Sequence, residues 1–130
     1  MSELWLRAQE YADDARLLFG ESRYNSACNR AYYAMFNAAR ALLLGRGISA
    51  ADAKRHTTVW RQFSLHFVKN GPFGAAEAGS LSQIGDVRLA VDYAGRQIDR
   101  ESAEAVLSSM EKFMSAATRT MQEPDTERTP

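Results

Sequence analysis

Apolar positions recur at three- and four-residue steps through most of the chain, and alternating β-branched runs are absent. That period belongs to amphipathic helices. Leu4, Ala8, Tyr11, Ala15 and Leu18 form the first stripe. They predict a helix from about Glu3 to Phe19, with Ser2 as N-cap and Gly20 at its end. A second helix is predicted from about Ser22, its cap, to Leu44, stopped by Gly45-Arg46-Gly47. Its apolar face runs through Tyr24, Ala27, Cys28, Ala31, Tyr32, Met35, Ala39, Leu42 and Leu43, wide enough for the central, most buried helix. Arg23, Arg30 and Asn37 fall at heptad steps and read as its polar stripe.

Ile48 to Arg55 reads as a loop. A third helix is predicted from about Thr57 to Lys69, with Val59, Trp60, Phe63 and Phe67 inward, and Asn70-Gly71-Pro72 ends it. A fourth spans about Ala75 to Ala94 and carries Leu81, Ile84, Val87, Arg88 and Val91. The residues Ile98 to Ser102 turn into a fifth, lined by Ala103, Val106, Leu107, Met110, Phe113, Met114 and Ala117. These lengths and short connections predict an all-α fold, an antiparallel up-and-down bundle of four to five helices. Residues 1–121 are expected to form one domain and residues 122–130, polar and proline-bearing, a flexible C-terminal tail.

Composition changes this picture little. With 130 residues and 45% hydrophobic content, the chain can bury a core without a metal or disulfide. The lone Cys28 excludes an internal disulfide and, on an apolar face, reads as a buried thiol rather than a nucleophile. No apolar run approaches the roughly 18–20 residues of a membrane span, and no leader-like segment opens the chain. A cytoplasmic protein without membrane association is expected.

Charge changes it more. Sixteen basic and sixteen acidic residues cancel to a formal net charge of zero. Residues 22–70, however, hold six arginines, two lysines and both histidines against one acid, Asp52. The second half is acidic. Arginine outnumbers lysine thirteen to three, which suits bidentate phosphate contacts and is also common in GC-rich genomes.

Standard chemistry is sparse. His56 and His66 are too few and too isolated for a metal site, and no Gly-rich phosphate loop is present, so neither metal nor cofactor is expected. The remaining candidates are Arg, His, Tyr and Asp positions. Arg30 sits beside Tyr32-Tyr33 on the second helix. Lys54-Arg55-His56 opens the third, where free N–H groups already favour an anion. Asp86, Arg88, Asp92 and Tyr93 lie on the fourth. Each has a plain reading as well: an i,i+4 ion pair for Arg88 and Asp92, a cap or packing residue for His56, core and surface aromatics for the tyrosines.

The run Tyr24-Asn25-Ser26-Ala27-Cys28-Asn29-Arg30-Ala31-Tyr32-Tyr33-Ala34-Met35-Phe36-Asn37-Ala38-Ala39-Arg40-Ala41-Leu42-Leu43 resembles the second helix of the HEPN family, most closely its small single-domain prokaryotic members. Three later features match in order: Lys54-Arg55-His56 with Phe63 and Phe67-Val68-Lys69, then Leu81 through Arg88 with Asp92-Tyr93, then the acidic start and Phe113 of the last helix. The resemblance implies a helical bundle, often a homodimer, encoded beside a minimal nucleotidyltransferase (MNT) in a toxin–antitoxin-like or defence module. It also implies metal-independent RNA cleavage by an Arg and a His about five positions on.

Here the sequence departs from the family. Arg88 aligns with the motif arginine, but Leu89 follows it, and the histidine position holds Tyr93, preceded by Asp92. A phenol with an ordinary pKa near 10 is a poor base at neutral pH. The expected function is therefore binding of RNA or a nucleotide through an Arg/His/Tyr cleft of Arg30, Tyr32, Tyr33, Arg55 and His56, without the family's standard catalysis. The alternative is an active endoribonuclease in which Arg88 holds the scissile phosphate and Asp92, Tyr93 or His56 assists. A third reading is a helical homodimer whose arginine-rich face is merely solvated.

Overall fold

The computed structural model describes residues 2–48, 56–69, 73 and 97–122. Four α-helices occupy them: α1 (Glu3–Gly20), α2 (Tyr24–Gly45), α3 (His56–Phe63) and α4 (Arg100–Gln122). A π-helical segment, Ser64–Lys69, prolongs α3. The described residues contain no strand, and the protein is an all-α helical bundle, as the periodicity predicts. The predicted helix over residues 75–94 lies outside the described residues, as does the predicted tail over 122–130 apart from Gln122, which is the last residue of α4.

Capping sets the ends of α1. Ser2 Oγ accepts the Trp5 N–H at 3.2 Å, the N-cap expected of it. At the other end the reversal falls two residues later than the sequence suggests. Gly20 is the last helical residue, and Ser22, not glycine, takes the left-handed backbone with φ 60. The Arg23 N–H reaches Leu18 O at 2.9 Å and the Ser22 N–H reaches Phe19 O at 3.0 Å, which is the Schellman pair. Ser22 therefore terminates α1 and does not cap α2, whose N-cap is Arg23 with no side-chain bond. The same pair closes α2, from Ile48 N to Leu43 O and Gly47 N to Leu44 O, with Gly47 at φ 72.

As predicted, α2 is the central helix, packing against α1, α3 and α4. Ala27, Ala31, Ala34, Ala38 and Ala41 make a buried heptad stripe along it, and Ala8, Ala12 and Ala15 repeat the step on α1. Small side chains on both helices permit a close axial approach. Against α3 and α4 the core is aromatic. Phe63 lies 5.1 Å from Phe67, 5.0 Å from Phe73 and 5.3 Å from Phe113 between ring centroids.

The predicted single helix over Thr57–Lys69 is corrected here: α-helix gives way to π-helix at Ser64. Phe63 and Phe67 stack across that change at 15° between ring planes, and Phe67 O accepts the Phe73 N–H at 2.7 Å.

Two polar contacts position α4. Asp99 Oδ1 accepts the Ser102 N–H at 2.8 Å, capping the helix, and that hydrogen bond holds its carboxyl below the ordinary value. Asn25 Oδ1 accepts the Ile98 N–H at 2.8 Å and ties the approach to α4 onto α2.

Arg16 on α1 grips Glu111 on α4 through two bonds of 2.7 Å. Its hydrogen bonds hold the Glu111 carboxyl below its usual value. A depressed carboxylate stabilises the fold above its unfolded pKa of 4.5 and loses that contribution as pH falls through the folded value. Both side chains are close to half exposed, so the contribution is at most about 1 kcal/mol. Glu111→Gln should cost no more than about that at pH 7 and less near pH 3. Thermal melts of both proteins at the two pH values read it out, and an equal cost at both would contradict the assignment.

Candidate functional site

Two i,i+4 pairs face each other across the α2–α3 contact. On α2, Tyr32 and Phe36 stand one turn apart with rings nearly parallel at 5.9 Å. On α3, His56 and Trp60 have the same spacing, and His56 is the first helical residue. Side chains four apart on a helix share a face, so the two pairs interlock. Phe36 stacks on the His56 ring at 4.1 Å with 18° between planes.

The polar atoms of this group form a chain. Trp60 Nε1–H donates to the Tyr32 oxygen at 3.3 Å, and the Tyr32 hydroxyl lies 2.6 Å from His56 Nδ1. Tyr32 is only 5% exposed, so its hydroxyl needs these partners. Tyr33, half-buried beside it, presents its edge to His56 at 6.0 Å and meets Tyr11 of α1 at 6.2 Å.

Of the candidate residues, the fold thus brings Tyr32, Tyr33 and His56 together. Arg30 is exposed and joins indirectly, its guanidinium 5.4 Å from the centre of the Tyr11 ring that Tyr33 touches. Arg55, Arg88, Asp92 and Tyr93 lie outside the described residues. Asn37 differs from its predicted place on a polar stripe. It is 6% exposed, its amide donates to Tyr33 O at 2.9 Å, and its oxygen accepts from Arg40. Trp60, Phe36 and Tyr11 were not candidates; the signal for the first two is their four-residue spacing from His56 and Tyr32.

Carboxylates are segregated by helix, while cations also stand on α1 and α4 (Arg7, Arg16, Arg100, Lys112 and Arg119). Described residues of α2 and α3 with the π-helical segment include Arg30, Arg40, Arg61 and Lys69 and no carboxylate. The carboxylates of the described helices sit on α1 and α4, among them Glu10, Asp13, Glu104 and Glu111. Among the described residues Arg30 makes no ion pair, whereas Arg16 on α1 is held by Asp13 and Glu111.

Other chemistry finds little footing. Cys28 is buried, and burial pushes its thiol up to about 11, which suppresses the reactive thiolate at neutral pH. Among the described residues no three His, Cys, Asp or Glu side chains come together to hold a metal. No described helix is long and apolar enough to cross a membrane.

Known proteins resemble this chain over nearly its whole length. A family model described as HEPN domain matches residues 1–120. A UPF0332 protein of Thermotoga maritima is 34% identical over 122 residues, covering 86% of this chain and 89% of its own. A second UPF0332 protein, from Pyrococcus horikoshii, is 36% identical over 112 residues, with coverage of 85% and 73%. A Methanocaldococcus jannaschii protein named "Putative toxin" is 30% identical over 116 residues, with coverage of 89% and 84%.

Proposed function

The chain belongs to the HEPN family, and on that premise we propose that it is a toxin-like HEPN protein that binds RNA or a nucleotide and works with a minimal nucleotidyltransferase. Residues 1–121 act as one helical domain, paired with a second copy as a homodimer. The binding surface is the α2–α3 side: Arg30, Tyr32, Tyr33 and His56, with Arg55 just ahead of α3 in sequence.

The observation that carries this reading is the confinement of the described helices' carboxylates to α1 and α4. Phosphates are attracted to a surface where cations are not already neutralised, and the described parts of α2 and α3 carry no carboxylate. Within the aromatic group around His56, the partly exposed Tyr33, His56 and Trp60 are the rings that a base can reach. The toxin name of the Methanocaldococcus jannaschii relative supports the class. The Tyr93 that stands where the family's motif has histidine argues for binding without the standard cleavage.

Two measurements test it. Co-expressed with a nucleotidyltransferase from the neighbouring gene, the protein should co-elute in one complex; separate elution would contradict the partnership. Purified protein incubated with RNA should leave it intact, as should Arg88→Ala. Cleavage by the parent that Arg88→Ala abolishes would replace this reading with an active metal-independent endoribonuclease.

A further inference from the structure

Trp5 on α1 carries a buried donor without an acceptor. The residue is 3% exposed, and among the described residues its indole N–H makes no hydrogen bond. Its bond to Ser2 engages the backbone N–H only. A buried indole N–H ordinarily finds a partner, as that of Trp60 does in the Tyr32 oxygen at 3.3 Å. Trp5 also lines a cleft of about 260 Å³ between α1 and α4. That is smaller than the roughly 300–1,000 Å³ of pockets for drug-sized ligands.

The other walls narrow the chemistry. An indole N–H can only donate, so what completes it must bring an acceptor. Thr118 gives its hydroxyl proton to Met114 O at 2.8 Å, which leaves the Thr118 oxygen to accept. Arg16 is no anchor for an anion, because it already gives three hydrogen bonds to Glu111 and Asp13, whose two carboxylates outweigh it. A cation brings donors only, and Trp5 requires an acceptor. A neutral group with a carbonyl beside an N–H meets both needs, and a carboxamide is such a group. Ala12 and Met114 on the same walls offer apolar contact to the body that carries it.

We propose that the α1–α4 cleft is a binding site for a neutral carboxamide, whose carbonyl accepts the Trp5 indole N–H and whose N–H donates to the Thr118 oxygen. The site is separate from the α2–α3 surface and does not depend on the function proposed above. Ordered water is the competing occupant, since it too can accept from an indole.

The test is nuclear magnetic resonance on 15N-labelled protein at pH 7, titrated with three probes that share a ring and differ in charge: benzamide, benzoate and benzylamine. Trp5 and Trp60 give the two indole N–H signals, and Trp5→Phe assigns them. Benzamide should shift the Trp5 signal saturably, with a Kd of about 1 mM for so small a ligand, and leave that of Trp60 in place. Benzoate and benzylamine should bind at least about tenfold more weakly. Thr118→Val removes the proposed acceptor at an exposed position of α4, keeps Trp5 as the reporter, and should weaken benzamide about tenfold. N-acetylglutamine methylamide, titrated in parallel, separates the sources: tighter binding than benzamide assigns a side chain of a protein, weaker binding a free small molecule. No shift at Trp5 with benzamide at several times the expected Kd would leave water as the occupant and overturn the proposal. Equal shifts from the three charged and neutral probes, or benzamide binding unchanged in Thr118→Val, would overturn it as well.

Discussion

Replacing Phe63 by alanine is expected to lower the unfolding free energy by about 3–5 kcal/mol. Phe63 is fully buried, and its ring is the common neighbour of Trp60, Phe67, Phe73 and Phe113, all with centroids between 5.0 and 6.0 Å away. Two separate losses combine. The ring's apolar surface no longer leaves water on folding, and its neighbours face a void that four other rigid rings cannot collapse to fill. Small domains have about 5–15 kcal/mol in total, so the variant should retain a marginal fold or none near physiological temperature. Urea denaturation followed by circular dichroism reads the loss. Leu6→Ala, at a residue 53% exposed on α1, is the control and should change stability by less than about 0.5 kcal/mol. A cost below about 1 kcal/mol for Phe63→Ala would mean that α3 does not dock on α4 through this cluster.

The aromatic cluster shows where the sequence is legible and where it is not. The three- and four-residue period marks the buried sides of α1, α2 and α4, because burial of one face and helical geometry impose the same spacing. Phe63, Phe67 and Phe113 are inward for that reason. The shift to π-helix at Ser64 leaves no mark, since the same apolar residues serve either winding. Nor does the end of α1. Glycine is the usual left-handed residue, yet Ser22 takes that conformation while Gly20 stays helical, because the Schellman bonds fix the position relative to Leu18 and Phe19. At the candidate site the residue types were readable, but their pairing was not. Tyr32 and His56 are 24 apart in sequence and meet only through the docking of α3 on α2. A tyrosine can be read from sequence as core or as ligand contact; here one side chain is buried in the core and gives its hydroxyl to the site. Asn37 fails in the other direction: heptad spacing placed it with Arg23 and Arg30, but packing buries it and the Tyr33 carbonyl satisfies its amide.

Removing the Arg30 guanidinium should weaken binding of a short single-stranded RNA about tenfold, the equivalent of about 1.4 kcal/mol. The whole chain has no net charge, so long-range attraction of a polyanion is weak, and affinity comes from local contacts with cations of the helices that carry no carboxylate. Arg30 is the clearest such contact. It is exposed, makes no ion pair among the described residues, and holds its guanidinium 5.4 Å from the centre of the Tyr11 ring, which limits the freedom it loses on binding. Each phosphate neutralised on a single strand contributes about −0.7 to the slope of log affinity against log salt. Arg30→Ala should therefore both lower the affinity and flatten that slope by about 0.7. Fluorescence anisotropy with labelled RNA at several salt concentrations gives both numbers. Glu104→Ala on α4 removes an equal but opposite charge away from α2 and α3 and should leave the slope unchanged. Similar small effects from the two variants would mean that the segregation of carboxylates serves something other than phosphate binding. A tenfold loss at Arg30 with an unchanged slope would instead point to stacking, and would move the contact from phosphate to base.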